Sequence, residues 1–291
     1  MGLMDFITEH NDRRRLEKEL EKDRRDTIKQ YLEEAKEYIE KGKETYNEEY
    51  ERVNDLSQET RDNISDHNEW KRGISRRISQ DISPILTDFK NFNIDSRIVI
   101  PKIAEIDSHK ISSSSGVQLF NGCKFMNKQP SIFSILSTSG CTERDVEKAR
   151  KQRNKAFDFS QEMYLKATEL SNVRSRFNTI NSFIVEEENQ LNSLMNKLDK
   201  ITEKLKRGMK NTEFTEKEAN YMKCIHAIGN YIVEEMSTVF LDRDFNITEQ
   251  YKKSFENIKK INGVLPESPQ ITDDSLLDGI KKILEGGIIV Y

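Results

Sequence analysis

The sequence predicts an all-α fold: a long antiparallel two-helix coiled-coil hairpin, with a small insert at the tip and a helical bundle at the open end. Three observations carry this. Hydrophobic residues make up 35% of the 291 residues and charged residues 34%, against roughly 45–50% and 25% in ordinary globular chains. So little apolar material suits narrow buried stripes better than a thick core. The five prolines, Pro84, Pro101, Pro130, Pro266 and Pro269, leave residues 1–83 and 131–265 free of proline. Proline in a helix interior costs ~3 kcal/mol, so both windows permit long helices. Within each window apolar residues recur at a mean step of about 3.5, the coiled-coil period.

Residues 1–11 form a short apolar segment in which Leu3, Met4, Phe6 and Ile7 are candidates for a membrane or docking anchor. The first long helix is expected over 12–91. Its stripe runs through Ile28, Leu32, Ala35, Ile39, Tyr46, Val53, Leu56, Ile64, Trp70, Ile74 and Ile78, with Gly42, Glu49, Thr60 and His67 filling seam positions. Pro84 is expected to push Ser83 out of helical geometry and so stop or kink the helix. The insert, 92–142, carries ten serines and few charges. Arg97–Ile100 and Val117–Phe120 read as short strands, and Ile132–Leu136 as a small apolar segment. A second long helix, 143–207, opens on a Thr142–Asp145 capping signal and carries Val146, Ala149, Ala156, Met163, Leu170, Phe177, Ile184, Leu191, Leu198 and Leu205 at the same period. Shorter helices fill 212–291. The first opens on the capping box Thr215–Glu218, the next is stopped by Asn262-Gly263, and the last is capped at Thr272. Two helices of matched length joined by a compact insert most simply fold back on each other.

Charge is nearly balanced, 47 Lys+Arg against 51 Asp+Glu. That excludes a uniformly basic nucleic-acid coat and a strongly acidic mimic. Two stretches stand out. Lys71, Arg72, Arg76 and Arg77 lie in one, and Lys148, Arg150, Lys151, Arg153 and Lys155 in the other, neither containing an acid. In an antiparallel hairpin with residue 82 opposite residue 143 they converge into nine positive charges, a candidate site for anionic lipid, nucleic-acid phosphate or an acidic protein. The competing reading is two solvated flanks paired with local acids. At the other end, Arg13–Arg15 are expected near Lys204, Lys206, Arg207 and Lys210.

The chain contains no phosphate-binding glycine loop, nucleophile elbow or metalloprotease motif, so a non-enzymatic protein without cofactor or metal is expected. Cys224 and His226 fall short of the four ligands of a structural zinc site. Asp242, Asp244 and Asn246 open like a calcium loop, but Ile247 replaces its glycine and Lys253 its bidentate glutamate. Glu186–Glu188 reads as a solvated face. Three cysteines without a secretory signal point to a reducing, cytoplasmic setting, with peripheral membrane contact as an option.

The opening Gly2-Leu3-Met4-Asp5-Phe6, the segment Asp81-Ile82-Ser83-Pro84 and the run Phe89–Asp95 resemble those of bacterial helical proteins associated with operons for dynamin-like GTPases. The resemblance covers the first third of the chain and includes no catalytic motif. It implies an accessory in membrane remodelling, stress or defence. The leading expectation is therefore a helical scaffold or adaptor with a protein partner, such as a dynamin-like GTPase, or an anionic membrane at its basic end, and with self-association open. A pore-forming-toxin-like protein with 92–142 as its tongue, and a DNA-associated coiled coil, are the alternatives.

Overall fold

A computed structural model describes residues 3–87, 130–132, 141–208, 215–242, 245–266 and 273–285. Helix α1 spans Leu3–Arg77, a π-helical turn spans Ile78–Ile82, and α2 spans Ser83–Thr87. Helix α3 spans Glu143–Gly208, followed by α4 (Glu216–Ser237), α5 (Glu249–Val264) and α6 (Asp273–Glu285). The all-α class and the long helix pair are as the sequence predicts. The strands expected at 97–100 and 117–120, and most of the apolar segment 132–136, lie outside the described residues. The chain divides into two compact units, each drawing on both long helices: Met1–Asp55 with Gly116–Arg174, and Leu56–Ser115 with Ser175–Tyr291.

The direction of the pair is the main correction. In the first unit Arg24 meets Glu143, Arg153 meets Glu34, and Arg174 meets Glu49 at 3.0 Å. In the second unit His67 meets Glu187 and Glu188, and Arg77 meets Asp199. Partners rise together along both helices, with separations of 119, 121 and 122 where the bonds cross between them. The helices therefore run parallel in each unit, and the hairpin expectation fails. The physical reason lies in the polar residues on the seam. The antiparallel register sets Lys71 against Asn154, flanked by Arg153 and Lys155, and leaves Glu187 facing Tyr38. The parallel register gives each of these charges an opposite partner, which a buried charge requires.

The seam itself is regular. Residues 28, 35, 39, 42, 46, 49, 53, 57, 60, 64, 67, 71 and 74 of α1 and 78 of the following turn are buried, as are 149, 156, 160, 163, 167, 170, 177, 184, 191, 195 and 198 of α3. Gly42 sits where a side chain would be crowded: an added Cβ lies 3.0 Å from the Ser160 backbone, so the neighbouring helix would have to give. Ser83 stays helical (φ −58°, ψ −41°), contrary to expectation, and its N–H bonds the Ile78 carbonyl. The chain thus absorbs the missing Pro84 N–H by widening one turn. That turn keeps both Ile78 and Ile82 buried, four residues apart.

In the first unit a small cluster of Ile28, Cys141 and Ala149 closes the start of α3. There the Thr142 hydroxyl donates to Asp145 at 2.7 Å, and the Thr142 N–H does so at 3.1 Å. In the second unit a larger core joins Ile74, Ile78 and Ile82 to Leu191, Leu194 and Leu198 and to the apolar faces of α4, α5 and α6. The Thr215–Glu218 capping box is present. Gly208 lies under it, where a Cβ would meet the Glu218 carboxyl at 2.5 Å. Helix α5 runs past Asn262-Gly263 to Val264. The turn before it pairs Leu241 with Ile247 and holds Phe245 at φ 60°.

The parallel register is open to a direct test. Spin labels at Lys29 and Lys151, both exposed, should lie within about 20 Å for helices packed 8–10 Å apart. The antiparallel register puts Lys29 beside residue 196, roughly 70 Å along the helix from residue 151. A long dipolar distance would restore the hairpin.

Candidate functional site

The described residues gather their most unusual chemistry inside the second unit. His67 and Lys71 come from α1, Glu187 and Glu188 from α3, Glu235 from α4 and Tyr251 from α5. His67 and Glu187 have no exposed surface, and Lys71 is 1% exposed. The spacing that builds the seam also builds this network. His67 and Lys71 lie one turn apart on the inward stripe, and Glu187 occupies the matching stripe of α3 between Ile184 and Leu191.

Lys71 Nζ lies 3.1 Å from Glu187 Oε1 and donates to the Tyr251 hydroxyl, which in turn donates to Glu187. The ammonium also lies 4.7 Å from the Tyr251 ring centroid. His67 has a carboxylate beside each ring nitrogen: Glu187 Oε2 lies 3.3 Å from Nε2, and Glu188 Oε1 lies 3.0 Å from Nδ1. Trp70 stacks on the His67 ring at 5.4 Å, and Phe240 and Phe183 pack around Tyr251. Burial by itself raises the Glu187 pKa. The positive charge of Lys71 and the hydrogen bond and charge of His67 outweigh it and hold the carboxyl well below its usual range. Burial and the neighbouring Glu187 and Glu235 carboxyls push the Tyr251 phenol well above its ordinary value.

The basic residues singled out by sequence fall in two different units. Lys71 is a core residue. Arg72 is half-buried, Arg76 is exposed, and Arg77 pairs with Asp199, all in the second unit. Lys148 pairs with Asp145 at 3.0 Å, and Arg150 and Lys151 lie 3.8 Å from Glu147. Arg153 bonds Glu34, and its guanidinium lies 5.9 Å from the rings of both Tyr31 and Tyr38. Lys155 is exposed. These five belong to the first unit, alongside residues 29–36, because the parallel register replaces the one that brought the two stretches together. Arg13–Arg15 belong to the first unit and Lys204, Lys206 and Arg207 to the second; Lys210 lies outside the described residues. Leu3, Met4, Phe6 and Ile7 fall in the first turns of α1, and their side-chain surroundings are outside the described residues.

Cys224 is fully enclosed, and burial pushes its thiol up to about 12, so it packs as an apolar residue. Asp242 accepts the Asn246 N–H at 2.9 Å, closing a turn. Among the described residues no group of three metal-ligating side chains converges, and no helix is long and apolar enough to cross a membrane.

A second feature is on the surface of the first unit. Phe157, Tyr164 and Leu165 of α3 are 44%, 40% and 67% exposed, and the Tyr38 ring meets Phe157 edge to face at 5.3 Å. Tyr31 and Tyr38, and Phe157 and Tyr164, repeat at seven residues, so they form a stripe flanking the seam. Sequence reading missed this flank because it lies off the seam positions.

Fold and site together define an all-α protein built on a long parallel helix pair, with a buried ion network in one unit and an aromatic flank on the other. No protein-family model matches the chain, and neither the curated proteins nor the solved structures compared with it gave a match.

Proposed function

We propose that the protein is a non-enzymatic helical scaffold or adaptor that receives a helix of a partner protein along the aromatic flank of its first unit. The observation that carries this reading is the heptad-spaced flank of Tyr31, Tyr38, Phe157 and Tyr164, extended by Leu165. Aromatic groups half in water beside a two-helix seam have the spacing a third helix fills, and such residues dominate binding energy when covered. Arg153, held between two tyrosine rings and Glu34, fixes the flank's geometry. The partner is a dynamin-like GTPase, as the sequence resemblance implies.

The test is binding of the purified protein to such a GTPase by size-exclusion chromatography and titration. Replacing Phe157, Tyr164 and Leu165 with serine should weaken binding by at least about tenfold, since two or three covered apolar anchors contribute more than 1.4 kcal/mol together. Unchanged affinity would remove the flank from the function. A second reading rests on the exposed side chains of Lys148, Arg150 and Lys151, at 54%, 62% and 70%, with Lys155 beside them. Reversing these four to glutamate should abolish binding to anionic vesicles if a membrane is the partner, and should leave GTPase binding intact.

A further inference from the structure

Glu235 occupies a place that ordinarily excludes a carboxylate. It is fully enclosed on the inward face of α4. The titratable groups that face it are Glu187 of α3, Tyr251 of α5 and Lys71 of α1; His67 of α1 acts on it through Glu187. The only ammonium in this set, Lys71, is already paired with Glu187 at 3.1 Å. The two nitrogens of His67 face Glu187 and Glu188. Glu235 thus has no counter-charge of its own. Neither of its oxygens makes a hydrogen bond of full geometry, although Glu187 and Tyr251 lie close enough to interact with it. Burying a second carboxylate beside the first without a cation of its own is far costlier than burying the neutral acid.

We propose that α4 stays docked only while the Glu187–Glu235 pair holds one proton, which makes this contact a latch that opens as pH rises. Ionising Glu235 sets two like charges against each other in a dry contact, and the new carboxylate reaches water only if α4 moves. Helix α4 packs on both α5 and α6, so its release loosens the short-helix bundle of the second unit. Burial, and after it the charge of Glu187, raise the Glu235 pKa well above the ordinary 4.5. Above that ordinary value the undocked state has lost a proton that the docked state keeps. Docking is therefore at full strength below it and weakens by up to about tenfold per pH unit, for one proton, until the raised pKa is passed.

Trp70, the chain's only tryptophan, stacks on His67 and reports on the network. The full chain is titrated from about pH 6 to about pH 10, following Trp70 emission and amide exchange over residues 216–237. The wild type should show a one-proton transition in which α4 amides lose protection together with the Trp70 change. Glu235→Gln, isosteric and without charge, should abolish the transition and keep α4 protected throughout. Glu187→Gln should also abolish the alkaline opening, because Glu235 then becomes the counter-ion of Lys71. Constant α4 protection in the wild type, or the same transition in Glu235→Gln, would overturn the proposal. Should Glu235→Gln fail to fold, Glu187→Gln decides alone: persistence of the wild-type transition refutes the latch.

Discussion

Lys71→Met should cost about 3–5 kcal/mol, the range for breaking a buried ion pair from one side. Methionine fills the volume of the lysine stem, so packing changes little. What changes is that Glu187, with no exposed surface, loses its ammonium and the donor shared with Tyr251. Its carboxylate then faces Glu235 with only His67 and the Tyr251 hydroxyl to offset it. The loss is read as a drop in urea midpoint monitored by Trp70 fluorescence. Pairing the change with Glu187→Leu should recover much of it, because an apolar pair of similar volume removes both desolvation costs. A coupling energy below about 0.5 kcal/mol in that cycle would mean that the two groups do not act as a pair.

The second large effect is expected at Lys197. Its ammonium is buried and donates to the Asn262 carbonyl at 2.6 Å and the Leu265 carbonyl at 3.0 Å. These carbonyls close the C-terminal end of α5, where a cation also complements the helix dipole. Asn262 is held besides by Ser193 at 3.1 Å and Gln190 at 2.8 Å. Lys197→Met leaves two enclosed acceptors without their donor, at about 1–3 kcal/mol each, and should destabilise the second unit by about 2–4 kcal/mol. Amide exchange over residues 258–265 should rise first. A change under about 0.5 kcal/mol would show that water replaces the ammonium there.

Lys71 shows where sequence reading fails. Its charge marks a basic surface stretch, yet the steps from Ile64 to His67 and from Ile74 to Ile78 leave position 71 on the inward stripe. The spacing carries that signal, and the residue's charge masks it. Glu187 reads as solvated for the same reason, although it lies between Ile184 and Leu191. Glu235 and Tyr251 carry no such sign, because their partners come from helices far away in sequence.

By itself the sequence determined the all-α class, the two long helices, the Thr142 and Thr215 caps and the burial stripe, all set by interactions within a few residues of the chain. Only the tertiary structure decided that the pair runs parallel. A heptad stripe is equally apolar read in either direction, so periodicity carries no orientation. Orientation is chosen by the few polar residues on the seam, Glu49, His67, Lys71 and Glu187, whose burial is tolerable only in the register that gives each an opposite charge.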